Sequence, residues 1–412
     1  MKFLIVLLLA TATTPVFAQT WTAYNTSNSA MLNNTVERVE IDASNHIWGA
    51  NWGSGIEYFD LNTWSFYNVS GGQLPSDFMR DLFIDGNGNI WAGTTAGLVK
   101  YDGANWTTYN STNSGMPDDN ALSVFVDGAD IWVGTSSGLA KFDGASTWTV
   151  YNMSNSNIPS DAIFSLAKDQ SGLLWVGTIA GIASFNGVST WTSYNMSNSS
   201  LPDDFILKID IDSNNDKWIC TNGGGIAIFD GTNWTIINSS TPGFPIDNAN
   251  SITTDGLGNK WVATSGGVAK FNGSSWTTFD VSNSGLPVNG CSDIAADGNN
   301  NIWISTWGGG IIQYNPTTLS TSEKVEENTS LIAFPNPATN EVTLQFNLSA
   351  GENATIEIIN MQGQVITTTT PSNLKEGTNL IYHPLNTISQ GIYTIRLTTR
   401  TATVSRSLII SQ

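Results

Sequence analysis

Charge is scarce in this sequence, and positive charge is scarcer still. Charged residues make up 12% of the 412-residue chain, and 15 Lys and Arg face 34 Asp and Glu, giving a net charge of −19. Soluble domains carry about twice that charged share. So few cations give no electrostatic grip on nucleic-acid phosphates or on an anionic membrane surface. Nucleic acid is therefore excluded as a partner. Cysteine is nearly absent: Cys220 and Cys291 are the only two, too few for a disulfide scaffold or a four-cysteine zinc site. Histidine is as rare, with His46 and His383 alone. Neither has a second His or a Cys at ligand spacing, so no metal and no cofactor is expected. Beyond the first residues no apolar run is long enough to cross a bilayer, so no transmembrane segment is expected.

What is present begins with an address. Residues 1–18 read MKFLIVLLLATATTPVFA: a positive start at Lys2, an apolar run, and the small-to-medium residues Val16 and Ala18 before Gln19. This pattern is a secretory signal peptide cleaved between Ala18 and Gln19. Pro15 and the threonines around it arrive too soon for a membrane anchor.

Tryptophan then exposes an internal repeat. Of 16 Trp, seven sit in segments like IWVGT (Trp48, Trp91, Trp132, Trp175, Trp218, Trp261, Trp303), recurring every 41–43 residues. Seven more sit in segments like WTTYN (Trp21, Trp64, Trp106, Trp148, Trp191, Trp234, Trp276) at the same period. Each period reads as four short strands joined by Gly, Asn and Asp turns, which is the spacing of a propeller blade. The first unit opens with an outer strand at Trp21, and the last ends at GIIQYN without one. Joining the two ends in one blade closes a ring and protects the sheet edges. The expected fold is all-β: a seven-bladed β-propeller over 19–316, closed by an N-terminal outer strand. The LP-x-(D/N) turn, the D-x-x-GN-x-W-x-GT core and the (K/Y)FDG step resemble the two-component-regulator propeller family across residues 21–315. Relatives of that kind often form the outer sensory half of hybrid kinases, but no kinase accompanies the repeats here, so the resemblance implies fold and not a sensor role.

Composition shifts after residue 316. Residues 317–331 are polar and charged and read as a linker. Residues 332–412 show about seven short alternating strands, the pattern of an immunoglobulin-like β-sandwich. Within them, FPNPATNEVTL (334–344), IINMQGQVI (358–366), QGIYTIRL (390–397) and the ending SRSLII resemble the type A C-terminal sorting domain of type IX secretion. Arg406 stands where many members carry Lys. The resemblance implies a Gram-negative bacterium of the Bacteroidetes type and recognition of 332–412 by the type IX secretion machinery. It also implies a chain that is secreted or held on the outer-membrane surface.

Most features that suggest chemistry have a structural explanation. The repeated Trp are expected to pack between blades. Asp42, Asp85, Asp169, Asp212, Asp255 and Asp297 each precede a strand Trp by six residues. They resemble the start of a calcium loop, but Lys217 and Gly223 stand where the loop that begins at Asp212 needs Gly and Glu, so Asx-type turns account for them. His46 is expected in an exposed turn. Cys220 and Cys291 lie in blades five and seven, which are not neighbours, and are expected to be free and buried.

Two irregularities remain. Trp52 and Trp307, outside both series, fall in the turns between the second and third strands of blades one and seven, beside Gly-rich stretches. Such a pair on one face suits a platform for a sugar ring or an aromatic side chain; the alternative is shielding of the seam where the ring closes. On the inner strands, counting back four from the turn Asp gives Arg38, Asp81 and Asp293, and counting back five gives Glu37 and Arg80. Opposite signs in adjacent blades predict ion pairs beside the central channel. Trp52, Trp307, Asn51, Arg38, Arg80 and Asp293 are therefore the expected ligand-binding residues, with no catalytic residue. The expected role is non-catalytic binding of a glycan or a protein by a monomer. The alternatives are a carbohydrate-active hydrolase or lyase using channel carboxylates, or a stand-alone extracytoplasmic sensor module.

Overall fold

The computed structural model describes residues 20–316, 331–348, 353–360, 364–372, 374–399 and 403–411. The expected signal peptide with its Ala18–Gln19 cleavage site, and residues 317–330 of the expected linker, lie outside these. The chain divides into two compact units at Thr317/Thr318.

The first unit consists of seven four-stranded antiparallel sheets. Blade one is Val36–Ile41, Ile47–Asn51, Gly55–Phe59 and Trp64–Tyr67, from the inner strand outward. The second strand of every blade is buried at nearly every position. Neighbouring blades cover both of its faces, so it reads IWVGT as a continuous apolar run instead of alternating. The outer strands are only half-buried. Each inner strand carries a register shift near its start, as between Val36 and Arg38 or Met79 and Asp81. A bulge there adds local twist where the strand enters the channel wall.

The two Trp series have separate tasks. The second-strand Trp are buried, from Trp261 at 0% exposure to Trp218 at 7%. The outer-strand Trp stack on the aromatic residue of the third strand, as in Phe59–Trp64 at 4.4 Å and Phe185–Trp191 at 4.2 Å. In blade seven that outer position is filled from the other end of the chain. Residues Thr20–Tyr24 pair antiparallel with Ile311–Asn315, and Trp21 lies 4.7 Å from Tyr314. The ring closes as the repeat phase requires.

The turn Asp residues hold the inner and second strands together. Asp255 Oδ1 accepts from the backbone N–H of Leu257 and Asn259, and Oδ2 accepts from the Trp261 indole N–H at 2.9 Å. The same indole bond recurs from Trp48, Trp91, Trp175, Trp218 and Trp303. Blade three, with the shortest spacing, turns tightly at Asp127–Asp130 and has no Asp at that offset.

The second unit is a sandwich of a three-stranded sheet (Leu331–Phe334, Glu341–Leu348, Gly377–Pro384) and a four-stranded one (Val365–Thr369, Ala354–Asn360, Gly391–Thr399, Thr403–Ile410). Its core includes Leu344, Phe346, Ile358, Ile395 and Leu408. Leu331, the last residue of the expected linker, is buried in the first strand. His383 is buried here too, and burial lowers its pKa.

Candidate functional site

Inner strands enter the channel wall at the end where the second-to-third-strand turns lie, because Val36 pairs with Asn51 and its equivalents do the same. Trp52 and Trp307 are therefore on one face, at the channel mouth. They occupy equivalent positions one blade apart: Trp307 bridges to Thr35, and Trp52 bridges to Phe78. Residues 33–35 lie between the two turns. Trp52 N–H donates to the Thr35 carbonyl at 3.1 Å, Asn33 Nδ2 donates to the Trp52 carbonyl at 2.9 Å, and Gly308 N–H donates to the Asn34 carbonyl at 3.0 Å.

The indoles themselves differ. Trp52 is half-buried, with the Arg80 guanidinium 4.5 Å above its ring and the Phe78 ring edge-on at 5.1 Å. Its ring is already engaged, so it is not the open platform that its sequence position suggests. Trp307 is 43% exposed, and its indole N–H reaches toward Glu37 Oε2 at 3.5 Å. Among the described residues no ring contact joins the two. Glu37 and Arg80 form no direct ion pair; Arg80 also donates to Asn120 Oδ1 at 3.3 Å. Asn51 is wholly buried and takes no place on the face, because its strand is covered on both sides.

Arg38 and Asp293 line the channel instead. Arg38 Nε pairs with Asp81 Oδ1 at 3.2 Å across blades one and two, as the alternating signs predict. Asp81 Oδ2 also accepts from Val124 N–H of blade three at 2.8 Å, and Asp293 Oδ2 from Val39 N–H of blade one at 3.0 Å. These carboxylates staple each blade to the next, and Ser165 does the same job for Ile209.

Two members of this cluster escaped the sequence reading. Lys208 sits four residues before Asp212, in register with Arg38 and Asp81, and counting back from that Asp finds it. Glu40 lies two residues further along than Arg38. A cavity of about 290 Å³ is lined by Arg38, Glu40, Asp81, Phe83, Phe125 and Lys208, among others. Burial pushes the Glu40 carboxyl up to about 8, with Asp293 and Asp81 adding to the effect and Lys208 and Arg38 opposing it. Burial also raises Asp81, against the pull of Arg38 and Lys208. Burial works against the Lys208 charge, but Asp293, Asp81 and Glu40 outweigh it and its pKa rises. The layer thus sets two cationic side chains, Arg38 and Lys208, among three carboxyls, Glu40, Asp81 and Asp293.

The remaining sequence expectations resolve simply. Cys220 and Cys291 are free and buried, and burial pushes their thiols up, Cys291 to about 12. His46 is half-buried in its turn, not exposed. Its Nδ1 lies 2.7 Å from the Tyr58 hydroxyl and 3.3 Å from Asp42 Oδ2. Among the described residues, no group of three or more His, Cys, Asp or Glu could hold a metal ion.

Residues 332–411 match the model of the secretion system C-terminal sorting domain, covering the sandwich nearly end to end. The tail is a type IX sorting domain. It marks the chain as secreted or cell-surface. Residues 73–96 and 157–180 match the two component regulator propeller model. No curated protein matches the chain. Among solved structures, it is similar to the extracellular domain of a B. thetaiotaomicron protein described as a hybrid two component system, at 21% identity and TM-score 0.64 over 95% of this chain and 57% of that one. It is also similar to PorZ, a surface component of the type-IX secretion system of Porphyromonas gingivalis, at 17% identity and TM-score 0.58 over 95% of this chain and 61% of that one. The virginiamycin B lyase of Staphylococcus aureus matches at 12% identity and TM-score 0.59, over 72% of this chain and 99% of that one. The chain thus spans about three-fifths of the length of the first two, and these likenesses speak to the fold.

Proposed function

We propose that the propeller is a non-catalytic binding module carried to the cell surface or beyond by its sorting domain, and that it engages a protein through the mouth face at blades seven, one and two. The observation that carries this reading is how the apolar side chains are distributed. Leu32, Phe78, Ile179, Ile246 and Trp307 are exposed on the mouth face, and Val69, Met153, Met196 and Val281 add to its rim. The opposite face exposes only Leu61, Val188 and Leu257 among large apolar residues of the described propeller. Exposed apolar side chains concentrated on one face favour an interaction site there, and Leu32, Phe78 and Trp307 are the ones in the sector of blades seven, one and two. A sugar platform of two indoles needs both rings uncovered, and of Trp52 and Trp307 only Trp307 is.

A photo-crosslinking analogue placed at position 307 tests this in intact cells. The expected result is one discrete cross-linked protein, with none from the same analogue at Leu257 on the other face. A saturable, glycan-induced fluorescence change lost in Trp307→Ala, without such a cross-link, would replace the protein with a sugar.

Glu40 favours a second reading. A carboxyl raised to about 8 beside other carboxyls is the kind of arrangement from which a glycosidase acid and base are built. Against it, Asp81 and Asp293 are already committed to Arg38 and to backbone N–H groups. The lyase-like neighbour is described in a form inactivated at a histidine. The one histidine of this propeller is held in a turn at the end of the channel away from the mouth. Turnover of any polysaccharide that disappears in Glu40→Gln would support the enzyme.

A further inference from the structure

Blade one departs from the other six at two buried positions together. Where they have Thr94, Thr135, Thr178, Thr221, Thr264 and Thr306, it has Asn51. Where they have Val99, Ala140, Ala183, Ala227, Ala269 and Ile312, it has Glu57. Both residues are wholly buried. In the other blades that Thr donates to a glycine carbonyl and caps the turn. Asn51 cannot repeat that geometry, and neither its amide nitrogen nor its oxygen closes a well-formed hydrogen bond; Glu57 Oε2 is likewise unpartnered. Buried orphans of this kind are costly and rarely retained without a use.

Glu57 Oε1 accepts from Leu32 N–H at 2.8 Å. Leu32 begins the segment 32–35 whose backbone is tied to both Trp turns. We propose that Glu57 and Asn51 are positioning residues that form a proton-operated latch under this segment. The neutral carboxyl holds the segment and the Trp307 turn in place, and the ionised carboxyl loosens them. The proposal rests on the mouth-face reading only for its consequence, that partner affinity falls as pH rises.

The chemistry suits two states. A neutral Glu57 has a hydroxyl to give, and the Asn51 carbonyl oxygen beside it has no donor. An ionised Glu57 instead draws on the Asn51 N–H, which favours the charged form. The groups acting on the carboxyl are uncharged: the N–H of Leu32 and of Asn33 and the Asn51 amide, with Gly49 and Phe66 paired across the sheet on either side. Burial dominates and pushes the carboxyl up to about 7. Opening the segment returns the carboxyl to water and to its ordinary 4.5. The closed state is therefore the better proton binder, and its advantage is lost as pH rises from 4.5 to 7.

Amide hydrogen exchange of the full chain tests this without a ligand, so its outcome is separate from that of the mouth-face reading. Corrected for intrinsic rates, protection at residues 32–35 should fall by up to tenfold per unit between pH 5 and 7 and level off above. A 5-fluorotryptophan resonance assigned to Trp307 should titrate with it. Glu57→Gln should flatten both responses while keeping protection high. Glu57→Ala, the residue of four other blades, should flatten them with a folded ring. Responses that persist in Glu57→Gln, or protection that is flat in the parent, would overturn the latch.

Discussion

At the scale of the residue, the turn aspartates show how one side chain can be reused six times at different value. Each carboxylate caps two backbone N–H groups and receives an indole N–H, and four of the six, Asp255 among them, also accept from a neighbouring side chain, so removing one leaves three or four donors without a partner. The cost depends on how deeply the indole is buried. Trp261 is fully buried and bonded to Asp255 at 2.9 Å, while Trp48 is slightly more accessible and bonded to Asp42 at 3.3 Å. Asp255→Ala should cost about 3 kcal/mol and Asp42→Ala about 1 kcal/mol, since a hydrogen bond to a charged group is worth that much when its partner is left in the core. Urea midpoints of the two variants check the order; equal shifts would mean that burial of the indole does not set the cost. Burial alone would raise the Asp255 carboxyl, but Asn259, Trp261 and two backbone N–H groups outweigh it and hold it below the usual range. Its contribution is therefore present above the ordinary carboxylate pKa and fades as pH falls through the lowered one.

At the scale of the element, the glycine in the second strand sets how closely two blades approach. A Cβ on Gly93 would lie 2.4 Å from the Ala121 carbonyl oxygen of the next inner strand, and one on Gly134 would lie 2.7 Å from the Ile163 carbonyl oxygen. Backbone cannot step aside as a side chain tip can. Blades five, six and seven carry Cys220, Ala263 and Ser305 at the same place, so their neighbours pack to accept a side chain. Gly93→Ala should therefore wedge blades two and three and cost about 2 kcal/mol, whereas Gly86→Ala, with nothing within 4 Å, should leave the melting temperature nearly unchanged; differential scanning calorimetry separates the two. This scale also shows what could be read in advance. The period, the strand count and the closing strand were legible because indoles mark every blade and the repeat begins out of phase with its end. The mouth was legible in part: Trp52 and Trp307 stand out against seven copies, and Arg38 faces Asp81 as their signs imply. What Trp52 touches was not legible, because Arg80 and Phe78 reach it from the next blade, and Lys208 comes into the cluster only across the width of the channel. Asn51 was expected on the face, yet a residue ending a strand covered on both sides is buried whatever its polarity.

At the scale of the whole molecule, two sets of carboxyls pull stability in opposite directions with pH. Three of the turn aspartates, Asp85, Asp169 and Asp255, are held below the ordinary 3.8 by their donors despite burial. They stabilise the ring above that value and cease to do so in acid. Glu40 is the reverse case: burial raises it from 4.5 to about 8, so the folded ring binds a proton that the unfolded chain releases. Its contribution is complete below 4.5 and is lost as pH rises to about 8. Asp81, also raised by burial, acts in the same sense. A chain with a net charge of −19 gains further self-repulsion over the same range. The melting temperature should thus peak near pH 4.5, fall steeply in stronger acid, and decline gradually toward pH 8. Glu40→Gln keeps a hydrogen-bonding group of the same shape in the channel without an ionisable proton, so it should flatten the decline between pH 5 and 8 and leave the acid limb in place. An unchanged alkaline limb in that variant would mean that the channel layer does not carry the effect, and that Glu57 or the charge on the rest of the surface does.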